Sequence, residues 1–365
     1  MKEELYSKGP EAIGQLVASS EGNSNQGIID KDDLGFEGVK ALFASEADSL
    51  KNIEQEIRVH LGADLPLLTE ISEYLLQLGG KRIRPLLCCF SSRLFGQQEA
   101  SQEIISASAG IEIIHMATLL HDDIIDRSLV RRHSESAFSK YGQTPTLLTG
   151  DFLLVRAFGI CSRLGSFVAD STEKACVELT EGELMEGHLG TGREVSLQDY
   201  LTIASKKTAS LFGLATAVAA YYCASDKGDI EKLRKFGIHT GILFQMVDDI
   251  LDIAADRSML GKPGGIDLRQ KVPTLVNVLW SQMEPEKASK FFAQSEYSDS
   301  QVEETRNYLM KSEVLDQAMQ HIKIQYQTAK DLLDNLGSPE VDPTIKAKLV
   351  ELLDYTVDRI PANPA

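Results

Sequence analysis

The chain has 365 residues, 43% of them hydrophobic, and its 54 acidic against 37 basic residues give a formal net charge of -17. That apolar content can fill one large core or two modest ones, and it excludes a fibre or a wholly disordered chain. The acidic balance disfavours nonspecific binding to nucleic acid or to an anionic membrane surface, so a phosphate-bearing ligand needs local basic patches.

In chain order, residues 1–36 carry Gly, Ser, Asn and Asp clusters without a sustained apolar period, which predicts a flexible leader with no chemistry assigned to it. The start lacks an apolar signal core and an arginine-rich transit pattern, and no apolar run is expected to span a membrane, so a soluble, cytoplasmic protein is expected. From Phe36 on, apolar residues recur at three- and four-residue spacing in nearly every window, which predicts an all-α fold and a single domain over residues 37–365. Breaks are expected at Gly79-Gly80, Tyr141-Gly142 and residues 261–265. Residues 104–120 and 236–247 are apolar nearly all round and should lie centrally. The five cysteines have no Cys-x-x-Cys spacing, which argues against a disulfide framework or a zinc site.

Two acidic motifs follow apolar helices. Asp122 and Asp126 in the run His121 to Asp126, and Asp248, Asp249 and Asp252 in the run Asp248 to Asp252, share one internal spacing. Carboxylates four apart project from one helix face and can hold hard cations through oxygen. Two such motifs in one chain of this length are expected by chance in under about one per cent of sequences. Magnesium keeps waters and binds through a few carboxylates plus substrate phosphates, so the pair points to a diphosphate ligand at the mouth of an apolar space.

The basic counterparts are the run 79–85, containing Lys81 and Arg84, and Arg131-Arg132 shortly after the first motif. Clustered lysine and arginine suit phosphate oxygens, arginine in bidentate fashion. The alternative is a surface patch paired with the excess acid. His115 lies on roughly the face that carries Asp122, as a ligand or as a satisfied core histidine.

With these residues in place, the sequence resembles the trans-isoprenyl diphosphate synthases, and among them the long-chain octaprenyl type, from about Phe36 to the C-terminus. The resemblance runs through residues 79–85, 115–126, 131–132, 150–154, 207–212, 244–252, 261–268 and 271–275. It implies an isoprenoid-synthase-like bundle of roughly ten or more helices around a central apolar cavity. It also implies a homodimer with no transmembrane segment, in transient membrane contact during product release. Asp122, Asp126 and Asp248, helped by Asp249 and Asp252, would hold magnesium, three ions with substrate bound. Lys81, Arg84, His115 and Arg132 would bind isopentenyl diphosphate; Arg131, Lys207, Thr208, Gln245 and Lys262 would contact the allylic diphosphate, with Lys271 a weaker candidate. Asp122, Asp126, Asp248, Lys207 and Arg131 would carry catalysis.

In this family the floor beneath the first motif sets product length. Here it is small, with Ala117 and Thr118, and Ile114 and Ile111 as deeper stops, which implies a long-chain product for quinone side chains; Ala117 could instead be small to let helices pack. Departures from the family pattern are Arg127, His133, Glu186 and the position of Pro273. A class I terpene cyclase lacks a second motif such as residues 248–252, a noncatalytic subunit tends to lose a motif, and a di-iron protein needs Glu-x-x-His pairs missing here.

Overall fold

The computed structural model describes residues 37–132, 134–189, 195–224, 226–254 and 264–361. The expected leader, residues 1–36, lies outside them. The first helices are α1 (Glu37–Ala44), α2 (Ala47–Leu61), α3 (Pro66–Gln77), α4 (Ile83–Arg93) and α5 (Gln102–Ile125). A two-residue antiparallel ribbon, β1 (Val130–Arg131) with β2 (Ser134–Glu135), then pairs Val130 with Glu135. The expectation of helices alone missed this ribbon because it is too short to show an alternating pattern. There follow α6 (Ala137–Tyr141), α7 (Gln143–Arg163), α8 (Ser166–Leu189) and α9 (Leu197–Ile203), then a π-helical turn at Ala204–Thr208. It runs into α10 (Ala209–Cys223), and α11 spans Lys227–Ala254. The remainder is α12 (Ile266–Gln270), α13 (Leu275–Met283), α14 (Pro285–Phe292), α15 (Asp299–Leu309), α16 (Glu313–Asp334) and α17 (Pro343–Asp358). The fold is all-α, as the periodicity requires.

The helix starts are written locally. Ser101 accepts from the Ile104 N–H to begin α5, Ser196 and Asp199 form a reciprocal capping box at α9, and Asp342 caps α17 with Pro343 at its first position. Where the chain turns at Gly79 and Gly142, φ is +78° and +84°, a region open to glycine.

Two apolar cores form, and α10 is the wall between them. Its Phe212 and Ala220 belong to a core built with α11, α13, α16 and α17, while its Leu211, Leu214 and Val218 belong to one built with α2, α5 and α7. Residues 209–220 of α10 are buried without a break, so this helix is as central as α5 and α11. Small residues make that possible: a Cβ on Gly237 of α11 would lie 2.4 Å from the Phe212 carbonyl oxygen, and one on Gly241 would lie 2.6 Å from the Ala209 Cα. By length and composition α5 could cross a membrane, contrary to the expectation that no segment would, but 72% of its apolar window is buried inside the protein by neighbouring helices.

Candidate active site

The ends of α5, α8 and α11, the π-turn and the start of α4 converge on a cavity of about 430 Å³. Its lining brings together cations and an imidazole, Lys81, Arg82, Arg84, Arg132, Lys207 and His115, and carboxylates, Glu112, Asp122, Glu183 and Asp248, with Leu119, Leu179, Leu211 and Phe212 as apolar wall. A second cavity of about 220 Å³ contains Asp126, Glu186 and Asp249, and it shares Lys207, Thr208 and Gln245 with the first. Lys207 therefore stands at the boundary of the two spaces.

The π-turn aims these groups. One extra residue per turn at 204–208 breaks the α-helical register between α9 and α10. Lys207 Nζ lies 2.8 Å from Glu183 Oε2 and also contacts Glu186. Burial works against the ammonium, yet Glu186 and Glu183 hold its pKa above the usual lysine value. Thr208 donates its hydroxyl proton to Gln245 Oε1 at 2.7 Å, and Gln245 Nε2 donates to Asp249 Oδ1 at 2.8 Å.

Burial, then Glu183, pushes the Asp122 carboxyl up to about 7, against the pull of Lys207 and Arg131. A carboxylate so crowded by acid favours a cation beside it. Among the described residues no three His, Cys, Asp or Glu side chains form a ready metal cage. The donors are spread over facing helices, an arrangement suited to a hard ion that completes its shell with water and phosphate. The His115 imidazole is held well below its usual pKa by burial and by Arg84, Arg132, Arg131 and Arg82, which favours its neutral form.

Several expected site residues have other employment. Asp249 is buried and its Oδ2 accepts from the Leu275 N–H at 2.8 Å; burial pushes it up to about 7. The Asp252 oxygens accept from the Ile266 and Asp267 N–H groups at 3.2 and 3.1 Å. Both therefore anchor the segment after α11 as well as standing in the second motif. Arg131 Nε donates to the buried Asp123 at 2.8 Å and does not line either cavity. Lys271 Nζ donates to the Phe292 and Gln294 carbonyls at 2.8 and 2.7 Å, away from the site. Lys262 lies outside the described residues.

Thr118 lines the larger cavity, whereas Ala117 and Ile114 are 0% and 1% exposed and do not line it. Ala117 is seven residues from Gly110, hence on nearly the same face of α5, and Gly110 approaches Ala157, Ile160 and Cys161 of α7. Of the two small residues expected at the floor, Thr118 is the one that lines this cavity.

The sequence reading missed Glu112, Glu183, Tyr200, Phe244 and Arg359. Arg359, at the end of α17, ion-pairs with Asp248 and lies 4.8 Å from the centroid of Phe244, which is itself in the cavity wall. Nothing local marks a residue 111 positions from its partner. Glu183 and Glu186 could have been found: they are i and i+3 on one helix, facing the lysine expected to bind diphosphate.

The polyprenyl synthetase family model matches residues 65–310. An octaprenyl diphosphate synthase of Haemophilus influenzae is 32% identical over 85% of this chain and 94% of that protein. A geranylgeranyl diphosphate synthase of Sulfolobus acidocaldarius is 31% identical over 85% and 96%. Among solved structures, a polyprenyl synthase from Caulobacter crescentus, complexed with calcium and isoprenyl diphosphate, has a TM-score of 0.81 at 28% identity and covers 88% of this chain and 98% of its own.

Proposed function

Because the chain belongs to the polyprenyl synthetase family, whose members are prenyltransferases, we propose that it is a trans-polyprenyl diphosphate synthase. It adds isopentenyl diphosphate to an allylic diphosphate of the geranyl or farnesyl type in successive rounds, giving a long, octaprenyl-like chain for quinone side chains. The observation that carries this reading is one cavity lined by clustered cations, by carboxylates from facing helices and by aliphatic side chains.

Lys81, Arg84, Arg132 and the neutral His115 hold the diphosphate of isopentenyl diphosphate. Lys207, Thr208 and Gln245, at the junction of the two cavities, hold the allylic diphosphate. Asp122, Asp126 and Asp248 would hold magnesium, whose charge when bound favours departure of the diphosphate. Leu119, Leu179 and Leu211 receive the hydrocarbon and exclude water from the allylic cation. In the balanced step the allylic C–O bond breaks, the isopentenyl double bond forms the new C–C bond, and the proton lost goes to the departing pyrophosphate. No covalent nucleophile is required.

The long product is read from Thr118, a small side chain in the wall nearest the first motif. Residues 37–365 are read as one catalytic unit. A homodimer through α7 and α8 is supported by Val155, Leu148, Val177 and Leu184, aliphatics more than half exposed on neighbouring helices. Ile125, Leu129 and Val130, exposed after the first motif, suit transient membrane contact during product release. The five cysteines, free with Cys88, Cys89 and Cys161 buried, suit a reducing cytoplasm.

The test is incubation with farnesyl diphosphate, labelled isopentenyl diphosphate and magnesium, followed by product sizing. Folded protein that incorporates no label refutes the synthase reading. A product no longer than geranylgeranyl refutes the long chain.

A further inference from the structure

Building on the synthase reading, we propose that the buried Arg82–Glu112 pair is a positioning device for the isopentenyl diphosphate end of the site, acting on the affinity for that substrate more than on the chemical step.

Arg82 stands between Lys81 and Arg84 in the basic run, yet it is 7% exposed and its Nη1 donates to Glu112 Oε1 at 2.8 Å. Glu112 is 3% exposed and lies three residues before His115 on α5, so both point to one face. Arg82 caps α4 in a left-handed conformation, φ 46° and ψ 32°, which a residue with a Cβ rarely adopts unless its side chain is held. The ion pair supplies that hold. It ties the loop bearing Lys81 and Arg84 to the helix bearing His115. Arg132 packs against the same loop, since a Cβ built on Gly80 would lie 2.9 Å from its Nη1 and 3.2 Å from its Nη2.

Glu112 Oε2 is the second observation. It is buried, has no hydrogen-bond partner, and belongs to a residue lining the cavity. Lys81, Arg82, Arg84 and Arg132 would repel one another in a ligand-free pocket. A carboxylate buried among them offsets that repulsion, and its charge opposes the burial that depresses the Arg84 pKa. The cations are thus gathered before the diphosphate arrives, and the ordering cost is not taken from binding. Lys207 is paired with Glu183 and Glu186, and Thr208 with Gln245, so the allylic half is held by other partners.

Three variants test this by steady-state kinetics and by calorimetric titration with isopentenyl diphosphate alone. Glu112→Gln keeps the shape and loses the charge. It should raise KM for isopentenyl diphosphate about tenfold or more, with matching loss in the titration, while kcat and the allylic KM stay within about threefold. Arg82→Lys, which keeps the charge, should raise that KM less than Glu112→Gln does. The double variant Arg82→Met with Glu112→Leu removes both partners and should fold, since apolar replacement of a whole buried pair is tolerated, but its KM should stay high. Recovery of parental KM by that double variant would show that the pair serves stability alone and overturn the proposal. So would an equal change in both substrate KM values and kcat, or unchanged titration by folded Glu112→Gln. A parent protein that binds and incorporates no isopentenyl diphosphate would instead overturn the synthase reading.

Discussion

Replacing Gly182 by alanine tests how tightly Lys207, proposed to hold the allylic diphosphate, is placed. Gly182 is buried on α8, where a Cβ would lie 2.4 Å from the Lys207 backbone nitrogen, 2.8 Å from its Cα and 2.9 Å from the Lys206 Cβ. Backbone atoms cannot swing away as a long side chain can, so the π-turn and α8 must separate by about 1 Å to reach ordinary contact. Overpacking of this kind costs about 1–3 kcal/mol, or a Tm lower by roughly 1–4 °C in a chain of this size. Displacing a positioned group by about 1 Å costs on the order of 100-fold in turnover, so Gly182→Ala should lose far more activity than stability. The control is Gly187→Ala on the same helix, where nothing lies within 4 Å of the added Cβ; it should gain about 0.5–1 kcal/mol from helix propensity and keep its kcat. Isopentenyl incorporation and thermal melts by circular dichroism measure both. Gly182→Ala with kcat within about twofold of the parent would refute the claim that the close approach of α8 sets the position of Lys207.

Asp122→Ala or Asp248→Ala should cut turnover by about 10²-fold or more in saturating magnesium; near-parental rates would remove the two-motif site. Thr118→Phe should shorten the product, read by chromatography of the chains, and an unchanged length distribution would show that the wall at Thr118 does not limit growth. Ala117→Tyr adds a ring to a fully buried position and should cost about 1–3 kcal/mol by denaturant titration, a loss Thr118→Phe need not share. Asp229 is fully buried and accepts from the Gly337 and Ser338 N–H groups, both at 2.8 Å. Burial raises its pKa, but those hydrogen bonds and Lys232 outweigh it and hold the carboxyl below its usual 3.8. The stabilisation is complete above the unfolded pKa and is lost as pH falls through the lower folded value. Asp229→Ala should therefore cost about 2–4 kcal/mol at neutral pH and flatten the loss of Tm below about pH 4; a parental acid limb in the variant would refute the assignment.

Much of the site was legible because its chemistry is compact in sequence. Asp122 with Asp126, and Lys81 with Arg84, announce themselves by spacing on one helix or loop, and the structure gathers their helices at two adjoining cavities. What spacing cannot say is how many lone pairs of a carboxylate remain open. Asp252 repeats the geometry of Asp126, yet its oxygens are taken by N–H groups fourteen and fifteen residues on. At Ala117, likewise, smallness is readable, but whether it makes room for a ligand or for α7 depends on what stands opposite. Arg359 and Glu112 act through partners far along the chain, where sequence periodicity carries no signal.

The shared wall α10 has a consequence for how the molecule comes apart. Phe212 and Leu211 are adjacent residues pledged to different cores, and Lys207 and Thr208 lie in the turn just before them. Neither half can melt while the other keeps that helix intact, so thermal denaturation should erase the active site and both halves in one transition, and a graft exchanging either half with a relative must bring a matching α10 with it.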